Sequence, residues 1–191
     1  KFFHFFWMQM PSNDGYYSSD HSLTPRAAKE YPTKKYEWKV IVRCAISSTG
    51  ISKVFVANKG QTINKDCYQA ILKSHLIPFI DKKCGGRANC IFWPDLASSH
   101  YASDVQTWMG SESIKFINRE NNPPNCPQLR PIEHFWSILK QLVYANDFQA
   151  TSREELIKRI KTCFKKIDVE VVKNMMQKVP EKIHLARTDG L

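Results

Sequence analysis

The chain has 191 residues, of which 42% are hydrophobic and 12% aromatic, enough for one domain with an apolar core and too apolar for a disordered tail. Its formal charge of +10 and pI near 9.3 favour a polyanionic partner. No apolar run approaches the roughly 18 residues of a membrane span, and Lys1 to Met10 carries no signal-peptide cleavage pattern, so nucleic acid is a better reading than a membrane surface.

Lys1 to Trp7 is dense in aromatics and has the composition of a strand. Pro11 to Lys35, with its Asp14-Gly15 turn signal, reads as a long loop. From Trp38 to Ile46 the chain alternates: Trp38, Val40, Val42, Cys44 and Ile46 face one way, Lys39, Arg43 and Ser47 the other. Thr49-Gly50 is a turn and Val54 to Val56 begins a second strand, which together predict a hairpin. Cys67, Tyr68, Ile71, Leu72 and Leu76 recur at helical spacing, with Pro78 near the expected stop. After Gly85-Gly86, Cys90 to Trp93 reads as a short buried strand. His100 to Met109 reads as a helix stopped by Gly110, Ile114 to Ile117 as a last short strand, and Asn118 to Arg130 as a loop.

Pro131 suits the first position of a helix, because its missing amide hydrogen would have no partner there. Ile132, Phe135, Trp136, Leu139, Leu142 and Val143 form a core-facing stripe, and Glu133 lies at its edge in the first turn. A second helix opens on a capping box, either Thr151 with Glu154 or Ser152 with Glu155. A third holds Val171, Val172, Met175 and Met176 and breaks near Pro180. Strands, then alternating helix and strand, then helices predict an α/β domain: a mixed sheet, antiparallel hairpin plus parallel strands, covered by helices. That order is the pattern of ribonuclease-H-like domains. The chain is read as one such domain over residues 1–191, with a helical C-terminal region at about 151–191. The six cysteines, none in a CxxC pair, read as reduced thiols of an intracellular protein rather than as a zinc site.

Two carboxylates carry the chemistry. Asp95 directly follows the apolar run Ile91-Phe92-Trp93-Pro94, at the carboxyl end of a strand, where open α/β sheets place their sites. Taken alone it also reads as a cap for a helix starting near Ser98 or Ser99. Glu133, taken alone, complements a helix macrodipole. Brought together, two such carboxylates suit a divalent metal that cuts and joins phosphodiesters.

The context of both residues resembles one family. Phe92-Trp93-Pro94-Asp95-Leu96-Ala97-Ser98-Ser99-His100 is similar to the second-aspartate segment of mariner-type (Tc/mariner) transposases. Pro127-Gln128-Leu129-Arg130-Pro131-Ile132-Glu133-His134-Phe135-Trp136 is similar to the segment around their third acidic residue. The resemblance implies an Asp-Asp-Glu endonuclease domain that cleaves and transfers DNA strands, with Asp95 and Glu133 as metal ligands and catalytic residues, Mg2+ as cofactor and Mn2+ able to substitute. It implies that the two carboxylates approach within roughly 4–8 Å, with the strand leading to Asp95 beside the strand of Phe2 to Phe6. It also implies double-stranded DNA as partner, a nuclear location and, as one option, a homodimer. The family's first aspartate is expected a few residues before Lys1, with Asp14 and Asp20 as weaker substitutes. The chain is therefore read as an N-terminally incomplete catalytic domain, inactive or nearly so as it stands. The alternative reading is a transposase-derived module that holds DNA or a partner without chemistry.

His100, His134 and Lys140 are possible accessory residues. The histidines are expected half-exposed and hydrogen-bonded, able to contact phosphate or orient a ligand. Lys158, Arg159, Lys161, Lys165 and Lys166 form a basic helix face that could track a DNA backbone.

Overall fold

The computed structural model describes residues 2–4, 39–124 and 126–189. Trp38, Asp14 and Asp20 lie outside the described residues. Three strands form a small antiparallel sheet in the order β1 (Phe2–His4), β2 (Lys39–Arg43), β5 (Phe55–Val56). Phe2 pairs with Ile41 and Val42 with Val56. A two-residue ribbon, β3 (Ile46–Ser47) with β4 (Gly50–Ile51), forms the tip of the predicted hairpin. Gly50 adopts φ 146° there, a conformation side-chain-bearing residues rarely take. The alternation read from sequence holds on β2, whose Val40 and Val42 are buried.

The predicted stop at Pro78 is not a stop. Helix α1 (Lys65–Ile71) runs through a widened π-type turn (Leu72–Leu76) into α2 (Ile77–Lys83). The Ile77 amide reaches back to the Leu72 carbonyl, so the turn opens just where a proline ring would collide with the preceding carbonyls. Pro78 then occupies the first turn of α2. Gly110 likewise lies inside α3 (Ser103–Ser111). That helix is followed by Ser113 at φ 56°. The stretch expected as a helix from His100 begins as a separate 3-10 turn, Ser98–His100.

Parallel pairing among the described residues is one bridge, Phe92 to Phe116. Phe92 donates to the Lys115 carbonyl at 2.8 Å and accepts from Ile117 at 3.0 Å. The two predicted short strands therefore meet each other, while β1 pairs with β2. The shortness has a sequence cause. Pro94 ends one segment and the other lies between a left-handed serine and a 3-10 turn at Arg119–Asn121, leaving room for a single ladder step.

Four helices complete the chain: α4 (Pro131–Val143), α5 (Arg153–Phe164), α6 (Val169–Gln177) and α7 (Val179–Asp189). Ser152 is the residue that caps α5, accepting from the Glu155 amide at 3.2 Å, and Glu155 reaches back to the Thr151 amide at 2.7 Å. The expected break near Pro180 falls at Lys178, and Pro180 lies in the first turn of α7.

Two cores result. One joins β2 to α4, α5 and α6 through Val40, Val42, Phe135, Leu139, Leu156 and Val172. The other packs α1, α2 and α3 around Tyr68, Leu72, Ile80, Val105 and Met109. All six cysteines are unbridged; Cys163 is buried and the other five are half-buried. No helix among the described residues is long and apolar enough to cross a membrane.

Candidate catalytic site

Asp95 emerges three residues after the Phe92 bridge. Pro94 is buried, whereas the Asp95 side chain is 61% exposed. Its Oδ1 accepts the Ala97 amide at 2.9 Å, closing a tight local turn. That is the structural counterpart of the capping expectation: the carboxylate folds the chain into the Ser98–His100 turn without capping it.

His100, expected half-exposed, is instead 2% exposed. The reason is its set of contacts. Its Nδ1 lies 2.7 Å from Asp95 Oδ1 and 3.2 Å from the Asp95 carbonyl. Its Nε2 lies 2.7 Å from Arg43 Nη1. Its ring stacks on Tyr68 with centroids 3.8 Å apart, and the Arg43 guanidinium sits 5.5 Å from the centre of that same Tyr68 ring. Arg43 comes from β2 in the first core and Tyr68 from α1 in the second, so His100 occupies the seam between the cores. Burial pushes the Asp95 carboxyl up, but hydrogen bonds from His100 and Ala97 and the charge of Arg43 outweigh it, and the group is held below the usual carboxylate range. Burial drives the Tyr68 hydroxyl strongly upward, so it stays neutral.

The second carboxylate segment is tied to the first. Asn122, 2% exposed, accepts from Trp93 Nε1 at 2.8 Å and from Arg130 Nη2 at 2.5 Å. Its amide donates to the Pro94 carbonyl at 2.9 Å and to the Tyr101 hydroxyl at 2.6 Å. Both lone pairs and both protons are used, and the Tyr101 hydroxyl donates its own proton to the Ile117 carbonyl. Arg130 also donates to the Pro94 carbonyl at 3.2 Å and lies 5.6 Å from the Trp93 ring centre. Glu133 follows three residues later, half-buried in the first turn of α4, its amide bonded to the Arg130 carbonyl at 3.0 Å. The residue before Asp95 and the residue that opens the Glu133 helix are thus held by one polar hub.

His134 and Lys140 lie on α4, the first exposed and the second half-buried. Trp136 is buried in the first core, as its place in the stripe predicts. The basic face of α5 divides. Lys158, Lys161, Lys165 and Lys166 are exposed, and the first three line an open depression with Arg153 and Glu154. Arg159 is turned away from it. Its guanidinium donates to the carbonyls of Val143 at 3.0 Å and Leu142 at 3.3 Å, and sits 4.9 Å from the centre of the Phe148 ring. It satisfies the C-terminal carbonyls of α4.

The chain is similar to the Tc3 transposase of Caenorhabditis elegans, 27% identical over 137 residues that make up 71% of this chain and 39% of that protein. It is 22% identical to the Tcb1 transposase of Caenorhabditis briggsae, over 63% of this chain and 42% of that one. The fold matches the Mos1 transposase paired-end complex with the left transposon end at a TM-score of 0.69, 20% identity and 95% coverage of this chain against 51% of that one. It also matches the Mos1 catalytic domain with Raltegravir and Mg at a TM-score of 0.58 and 21% identity, covering 75% and 71% of the two chains. The chain is thus similar to mariner-type transposases in sequence and in fold. No family model matches it. It spans 39% and 42% of the lengths of the two curated relatives. The hub joins the segment that bears Asp95 to the segment that bears Glu133. Of the residues around it, the sequence singles out only the two carboxylates and, as an accessory, His100. Arg43 reads there as a solvent-facing strand residue, and Asn122 and Arg130 read as loop. The sequence carries no signal for the role of Arg43, which stands between Val42 and Cys44 at the end of β2.

Proposed function

We propose that this domain is the metal-dependent DNA-cleaving and strand-transferring core of a transposase, of ribonuclease-H-like architecture, with Asp95 and Glu133 as two members of its carboxylate set. The observation that carries the reading is the bond from Arg130 to the Pro94 carbonyl, with Asn122 beneath it, which fastens together the two segments that bear the carboxylates. Asp95 suits a hard divalent cation: it is exposed, ionised, and an oxygen donor. Mg2+ is the cofactor proposed, with Mn2+ able to replace it; Mos1 catalytic-domain structures carry one or the other. When bound, such an ion supplies activation of an attacking hydroxyl and stabilisation of a leaving oxygen. The chain's own residues hold the carboxylates in place, exclude water from the hub and offer a basic surface on α5 to the DNA backbone. Double-stranded DNA is the partner proposed, in a nuclear setting, with pairing of two copies as in a paired-end complex.

A second reading, a DNA-holding module without chemistry, rests on its own observation: among the described residues, no three His, Cys, Asp or Glu side chains cluster to hold a metal ion. Nicking of a supercoiled plasmid with Mg2+ or Mn2+ separates the two. The comparison uses the chain, a form extended upstream so that an aspartate precedes Phe2 on its strand, and Asp95→Asn and Glu133→Gln in each. Metal-dependent nicking that both substitutions abolish supports the enzyme. DNA binding without nicking in every form supports the module.

A further inference from the structure

The geometry assigns His100 as the residue that fixes how Asp95 meets a cation: it closes Oδ1 and leaves Oδ2 as the only oxygen offered. This rests on the reading of Asp95 as a metal ligand. Arg43 sets the starting point. A guanidinium has donors and no acceptor, so at 2.7 Å the His100 Nε2 must be the acceptor. The ring then carries its proton on Nδ1, which points at Asp95 Oδ1 at 2.7 Å. The ring cannot turn over, because stacking on Tyr68 and burial to 2% hold its plane. A flipped ring would also set carbon atoms against both Arg43 and Asp95.

Oδ1 therefore takes two protein donors, His100 and the Ala97 amide. No bond from a described residue reaches Oδ2, and the Asp95 side chain is 61% exposed. A carboxylate with one oxygen saturated and the other bare binds a cation through a single oxygen, in a direction set in advance. Groups that orient a ligand from behind in this way change metal affinity by roughly tenfold to a hundredfold when removed. His100 touches no reacting atom, so it is a positioning residue, and Arg43 sets its tautomer from the far side.

Two measurements test this. In the unsubstituted full chain, 15N NMR of the histidine rings should show His100 protonated on Nδ1 and bare on Nε2; the opposite tautomer overturns the assignment whatever any variant does. Mn2+ binding is then followed by water proton relaxation, with thermal melting as the folding control. His100→Asn sets its amide where Nδ1 stands and keeps the donor to Asp95. His100→Gln sets its amide where Nε2 stands and loses it. The expected result is Mn2+ affinity within about threefold of the parent for H100N and reduced roughly tenfold or more for H100Q. Binding abolished in D95N but equal in H100N and H100Q overturns the positioning role alone. Absence of Mn2+ binding, or binding that D95N leaves unchanged, overturns the metal-ligand reading and this inference with it.

Discussion

Arg130, three residues before Glu133, donates to the carbonyl of Pro94, the residue before Asp95, at 3.2 Å. A single side chain thereby couples two segments far apart in sequence, and Asn122 completes the coupling from below. The amide orientation of Asn122 is dictated by its neighbours. Trp93 Nε1 and Arg130 Nη2 can only donate, so the oxygen must face them, and the nitrogen must face the Pro94 carbonyl and Tyr101.

Asn122→Ala should therefore be among the most damaging single changes outside the apolar cores. It strips partners from Trp93, Arg130, Tyr101 and Pro94 at once, and buried polar groups left unpaired cost about 1–3 kcal/mol each before relaxation. A net loss of about 3 kcal/mol or more is expected in urea denaturation. Asn122→Asp keeps the two bonds in which the side chain accepts and should fall between the parent and Asn122→Ala. A loss below about 1 kcal/mol for the alanine would show that the hub does not hold these segments.

How much of this is written in the sequence follows from the range of each interaction. The helix from Pro131 is legible because its stripe and its proline are local features, and the structure places α4 at Pro131–Val143 with Phe135 and Leu139 buried. The segments that bear Asp95 and Glu133 stand out through their flanking motifs, and Arg130 and Asn122 tie those segments together. Pro78 misleads because the widened turn that admits it depends on how α1 and α2 pack, which no local pattern records. Arg43 and Asn122 are invisible for the same reason. Their roles are defined by partners 57 and 29 positions away, and a lone arginine on a strand or an asparagine among prolines looks the same whether it is solvated or buried. Arg159 groups with its basic neighbours in the sequence because periodicity gives a face, not the reach of a long side chain.

DNA binding should depend steeply on salt, through the exposed lysines of α5. Lys158, Lys161 and Lys165 fall on one helical face and border one depression. Each phosphate that a lysine no longer neutralises lowers the slope of log affinity against log salt by about 0.9. The triple change of these lysines to Glu should lower affinity for duplex DNA of any sequence and reduce that slope by up to about 3. Fluorescence anisotropy at several salt concentrations is the measurement. An unchanged slope would place the DNA on another surface.

Arg159 should behave in the opposite way from its neighbour Lys158. Arg159→Ala removes donors from the C-terminal carbonyls of α4 and a cation from the face of Phe148. It should destabilise the fold by about 1–3 kcal/mol while leaving DNA affinity per folded molecule unchanged. Lys158→Ala should change stability by less than about 0.5 kcal/mol and weaken DNA binding. Paired denaturation and binding curves decide it; the reverse pattern would return Arg159 to the DNA face.

Acid should remove a stabilising contribution that Asp95 makes at neutral pH. Its carboxyl is held below the usual range: burial opposes its charge, but hydrogen bonds from His100 and Ala97 and the nearby Arg43 charge prevail. A group whose folded pKa is depressed binds its proton more readily when unfolded. Its contribution to stability is therefore fully present above the unfolded value, about 3.9, and disappears as pH falls through the depressed folded value. Asp95→Asn has no such proton to take up. In chelator-treated samples, the urea midpoints of the parent and Asp95→Asn should differ by a constant amount from about pH 7 down to about 5. Below about pH 4 the gap should close, because only the parent loses the Asp95 contribution on acidification. A gap that stays constant to about pH 3 would mean that the carboxylate gains nothing from His100 and Ala97 in the folded chain, and the orientation argued for it would lose its energetic basis.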